Sequence, residues 1–110
     1  MAEEKLFGEG TTKCTIKDGV MTVYKIGYRD VDFEQACQAL LSEPADEVVA
    51  DLSRLEYIAS PEMGMLMGTH LRAEECGKKF KIYISEKLAK YFNLLNMPEL
   101  VNVEVKKAAE

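Results

Sequence analysis

The stretch from Glu47 to Glu62, EVVADLSRLEYIASPE, decides the fold of this 110-residue chain. It opens with Val48-Val49-Ala50, three consecutive apolar positions, as expected of a strand covered by helices on at least one side. It closes on Ser60-Pro61-Glu62, a helix start in three residues: Ser as N-cap, Pro at the first helical position, and an acid near the positive end of the dipole. A strand, a short loop and a long helix are therefore predicted, the helix running to Gly77.

The same alternation repeats on either side of this stretch. Upstream, Thr12 to Ile16 and Val20 to Ile26 are β-rich runs joined by Lys17-Asp18-Gly19, whose Asp-Gly step predicts a hairpin, after a polar lead-in. From Asp32 the apolar residues Phe33, Ala36, Cys37, Leu40 and Leu41 share a helical face, Asp32 and Gln35 read as a capping box, and Pro44 stops the helix. Downstream, Lys79 to Ile84 alternates as a strand. Ser85 caps a third helix that buries Leu88, Tyr91, Phe92 and Leu95, with Asn96 and Pro98 at its exit, and Val101, Val103 and Val105 supply a last strand. The predicted class is α/β, a single domain over 1–110 in the order β-β-α-β-α-β-α-β. Right-handed crossovers make its sheet mostly parallel, with an antiparallel edge strand. The carboxyl rim of that sheet, formed by Gly27 to Asp30, Arg54 to Ser60 and the region of Ser85, is the expected binding surface.

Composition narrows the function. The 47% hydrophobic share supports one core, and a net charge of -5 would be repelled by a nucleic-acid backbone. The N-terminal residues lack a secretory pattern and no window reaches the length of a membrane span, so the expected location is cytoplasmic, without direct membrane insertion. Cys14, Cys37 and Cys76 are odd in number and far apart, which predicts small apolar residues in a reducing compartment rather than disulfides or a zinc site. His70 is the only histidine and sits within the second helix, expected to be partly buried or at the surface. With no metal cluster, Cys-His dyad or phosphate-cradling loop, no catalytic residue and no cofactor are predicted. Gly64 and Gly68 are expected to let the helix approach the sheet closely. Met63, Leu66, Met67, His70 and Leu71 are expected to face the core, and Met65, among Glu62, Thr69, Arg72 and Cys76, to project from a polar stripe as a contact residue.

The run Val48-Val49-Ala50-Asp51-Leu52-Ser53-Arg54-Leu55-Glu56-Tyr57-Ile58-Ala59-Ser60-Pro61-Glu62-Met63-Gly64-Met65-Leu66 resembles the signature of the STAS domain of bacterial anti-sigma factor antagonists. That signature is an apolar strand ending in Asp-Leu, then a Tyr/Phe-Ile-Asp-Ser-Ser-Gly-Leu-Gly turn into a helix. Phe92-Asn93-Leu94-Leu95-Asn96-Met97-Pro98-Glu99-Leu100 is similar to a second, weaker family signature. The resemblance implies a non-catalytic regulatory module. Its implied partner is a protein, an anti-sigma factor or serine kinase of the histidine-kinase-like ATPase type, with Ser60 at the phosphorylated position. Ala59, Pro61 and Glu62 stand where the family has Asp, Ser and Gly. A phosphate on Ser60 would suit a helix N-terminus, whereas Glu62 would oppose it and Pro61 would stiffen the segment. The expected partner-binding residues are Tyr28, Asp30, Tyr57, Ser60, Glu62, Met65 and Thr69. The rival expectations are a STAS accessory or scaffold subunit without phosphorylation, and a small-molecule or nucleotide-binding domain using the same rim.

Overall fold

The computed structural model describes residues 5–7, 13–26, 31–58, 60–94 and 102–105. Its elements run β1 Lys5–Phe7, β2 Lys13–Lys17, β3 Val20–Lys25, α1 Val31–Leu41, β4 Glu47–Leu52, α2 Ser60–Glu75, β5 Lys79–Ile84, α3 Glu86–Leu94 and β6 Asn102–Val105. The expected α/β class and alternation hold. One strand is added: β1, three residues long, lies in what reads as a polar lead-in, because so short an edge strand has no periodicity to reveal it. The α1 helix begins at Val31, so Asp32, expected at its N-cap, lies inside its first turn.

The hairpin between β2 and β3 follows from its two turn residues. Asp18 and Gly19 both take positive φ, 53° and 77°, the backbone of a type I′ turn whose twist matches that of the strands it joins. A Cβ on Gly19 would also lie 3.2 Å from that of Ala45, so this turn packs directly against the entry to β4. The Gly19 carbonyl accepts from Val49 N–H at 2.9 Å, joining the hairpin to the first parallel strand.

Among the described residues the sheet holds six strands in the order β1-β2-β3-β4-β5-β6. The first two pairings are antiparallel and the remaining three parallel. Each parallel strand lies beside its predecessor, so among the described strands the direction of winding does not reverse. Three successive right-handed crossovers then place all three helices on one face. Burial agrees: Phe33 and Leu40 of α1, Leu66 of α2, and Leu88 and Phe92 of α3 join one core with the inward strand residues, among them Ile16, Met21, Leu52 and Ile82. Val49, pointing the other way, is buried but outside that core.

The second face of the sheet carries Thr15, Thr22, Tyr24, Asp51, Lys81 and Tyr83, all at least partly exposed. Long side chains partly cover it: the Arg54 guanidinium sits 5.2 Å from the Tyr24 ring centre, and Lys81 lies 5.6 Å from that of Tyr83 and 3.0 Å from the Glu104 carboxylate. That carboxylate holds the Lys81 ammonium above its ordinary pKa. Among the described residues, no helix is long and apolar enough to cross a membrane.

Candidate functional site

The loop leaving β4 builds the described part of the carboxyl rim. Asp51 terminates the strand by folding its carboxylate back, accepting from Ser53 N–H at 3.0 Å and Ser53 Oγ at 2.6 Å. Leu55 and Ile58 then turn into the core, which anchors the loop at two points. The residues between and beside them, Arg54, Glu56 and Tyr57, face outward. Ser85 ties this loop to the next element: its hydroxyl donates to the Leu55 carbonyl at 2.7 Å and accepts from Leu88 N–H at 3.1 Å, capping α3 as expected. An exposed ion pair of Lys87 with Glu56, 3.1 Å, lies along the same edge.

The residues expected at the site divide into three groups. Tyr57, 62% exposed, and Ser60, the exposed first residue of α2, lie together on the rim beside exposed Pro61. Tyr28 and Asp30 lie outside the described residues. Glu62, Met65 and Thr69 are corrected. Glu62 is 1% exposed, so its carboxylate faces the interior rather than a partner, and neither of its oxygens has a hydrogen-bond partner among the described residues. Thr69 is buried too, its hydroxyl donating to the Met65 carbonyl at 2.7 Å. Met65 is half-buried against the core instead of projecting from a polar stripe.

These corrections share one cause. The inward stripe of α2 runs through Glu62, Met63, Leu66, Thr69 and Ala73, so the helix is rotated from the register predicted. Leu71, expected to face the core, is 57% exposed, and Met67 is only half-buried. Apolar residues occur around most of this helix, so their spacing does not single out a face. The polar Glu62 and Thr69 on the inner stripe made the true face look solvated. Ser60 also departs from expectation: the helix begins at Ser60 itself, and its hydroxyl caps nothing among the described residues.

Rotation turns the two glycines outward. A Cβ on Gly64 or Gly68 would meet nothing within 4 Å, so they do not serve close approach to the sheet. They border a groove of about 290 Å³ between α1 and α2, which has Cys37 and Thr69 at its floor and Glu34 and Arg72 at its edges. Each glycine costs a helix interior about 1 kcal/mol relative to Ala, and no packing within the described residues offsets that cost. This groove was missed in the sequence; the Gly64-Gly68 spacing was its signal, read onto the wrong side.

Chemically the site offers little that is activated. Burial pushes the Cys37 thiol up to about 12, with nearby Cys14 and Glu34 adding to the shift and Thr69 opposing it, so Cys37 stays a neutral thiol. Cys14 is likewise buried, but Cys76 is exposed at the end of α2, contrary to its expected apolar role. His70 is half-buried, as expected, with Nε2 2.7 Å from Glu74. Among the described residues, no three His, Cys, Asp or Glu side chains gather as metal ligands would.

No protein-family profile and no curated protein sequence matches the chain. A solved structure does: the NMR structure of the protein TM1081 is similar with a TM-score of 0.58 over 84% of this chain and 79% of that one, at 17% sequence identity. At that identity the similarity establishes the fold, an α/β domain with a mostly parallel sheet, and nothing of its chemistry.

Proposed function

We propose that this chain is a regulatory protein-binding module of the anti-sigma factor antagonist type, a STAS-like domain without catalytic activity, that docks its partner on the rim formed by Tyr57, Ser60 and Pro61. The observation that carries this reading is the unreversed strand order. Small ligands of open α/β sheets bind where the winding reverses and neighbouring helices diverge to leave a crevice. With the described helices on one face, no such reversal occurs among the described strands, and the rim is a surface suited to another protein rather than a nucleotide cleft. The STAS-like sequence from Val48 to Leu66 supplies the type of partner, a serine kinase of the histidine-kinase-like ATPase type or an anti-sigma factor.

Ser60 fits a phosphoacceptor in being exposed, with no capping bond among the described residues, at the start of a 16-residue helix, where the dipole favours an anion. A docking subunit without phosphorylation is the second reading, and Glu62 favours it: a carboxylate already occupies the first turn of α2 and would repel a phosphate. Titration with such a kinase from the same genome, with and without ATP, tests both. Saturable binding weakened at least about tenfold by Tyr57→Ala and by Ser60→Asp supports rim docking. A mass increase of one phosphate, lost in Ser60→Ala, separates the switch from the scaffold. Binding indifferent to both substitutions contradicts the proposal.

A further inference from the structure

The groove between α1 and α2 has a charge pattern that matches itself. Glu34 lies in the first turns of α1 and Arg72 in the last turn of α2, so the groove is negative toward the rim and positive at its far end. Both side chains are exposed, and neither has an ion-pair partner among the described residues. Between them the backbone of α2 is bare at Gly64 and Gly68, leaving room for another helix to approach closely. The groove's buried hydroxyl, on Thr69, is already committed to the Met65 carbonyl, and its buried thiol, Cys37, is neutral. The floor thus offers a small polar ligand only a hydroxyl whose proton is already donated and a weakly bonding thiol.

We propose that a second copy of this chain occupies the groove, the two α2 helices crossing antiparallel about a twofold axis that passes between Gly64 and Gly68. Symmetry then sets Gly64 of each copy against Gly68 of the other. It carries Arg72 of each toward the end of the other copy's groove where Glu34 lies, forming two equivalent ion pairs. A parallel crossing would set like charges together. Met65, half-buried and adaptable, fills the space beside the crossing. Because Ser60 and Pro61 lie opposite Arg72 in this arrangement, self-association covers the rim and excludes a partner bound there. The dimer itself does not rest on the partner reading, and its test needs no other protein.

Sedimentation equilibrium of the full chain from about 10 µM to about 1 mM should show a reversible dimer, the range expected of a small, partly polar interface. Arg72→Glu and Glu34→Arg should each weaken it at least about tenfold, and the double charge reversal should restore it to within about threefold of the original. Gly68→Leu should abolish it while leaving the circular dichroism spectrum and thermal midpoint of a folded chain, since open space surrounds that position. A chain that stays monomeric throughout would overturn the proposal, as would a dimer that tolerates both single reversals or a double reversal without rescue.

Discussion

Glu62 is the residue at which local chemistry and fold disagree most. A carboxylate in the first turn is favoured by the helix dipole, but this one is buried with neither oxygen bonded among the described residues, and an unsatisfied buried polar group is costly. Glu62→Met should therefore raise the denaturation free energy by about 1–3 kcal/mol, as read from urea unfolding. Ser60→Ala, which removes no cap seen among the described residues, should stay within about 0.5 kcal/mol of the parent. A loss in the Glu62 variant would mean that its carboxylate is paired. The cysteines give a second residue-scale expectation. Cys37 ionises at about 12 in the fold against an ordinary 9.0, so its contribution to stability is complete below pH 9 and is lost as pH rises from there toward 12. Alkylation of the native protein at pH 8 should modify Cys76 alone, with Cys14 and Cys37 reacting only after unfolding. Rapid modification of Cys37 in the native state would contradict the burial assigned to it.

Among the elements, those with one clear period were legible in the sequence and α2 was only half so. Phe33, Ala36, Cys37 and Leu40 mark the inner face of α1 without competition, and each of them is buried. The start at Ser60 was also legible, because proline permits few other positions in a helix. Its rotation was not, since Met67 and Leu71 offered, with Met63 and Leu66, a more apolar stripe than the one containing Glu62 and Thr69. Leu66→Ala should accordingly lose about 2–5 kcal/mol, since Leu66 is wholly buried. Met65→Ala and Met67→Ala, both half-buried, should each lose less, about 1 kcal/mol. Losses at Met67 and Leu71 as large as that at Leu66 in denaturant titrations would restore the register read from spacing alone.

For the molecule as a whole, the order of elements was readable because each strand and helix carries its own period and stop signal, while the one-sidedness of the layers was not. It arises from the winding direction, a property of how β3, β4, β5 and β6 line up, which no single segment encodes. Two surfaces result: a carboxyl rim with outward Tyr57 and Ser60, and an open sheet face with Thr22, Tyr24 and Tyr83. They make opposite predictions for where a partner sits. The most direct test is an amide-resonance NMR titration of the isotope-labelled chain with the serine kinase proposed as its partner. The rim reading predicts shifts and broadening at Tyr57, Ser60 and Gly64, with Thr22 and Tyr83 unmoved. Perturbation centred on Thr22 and Tyr83, with Tyr57 and Ser60 silent, would contradict it.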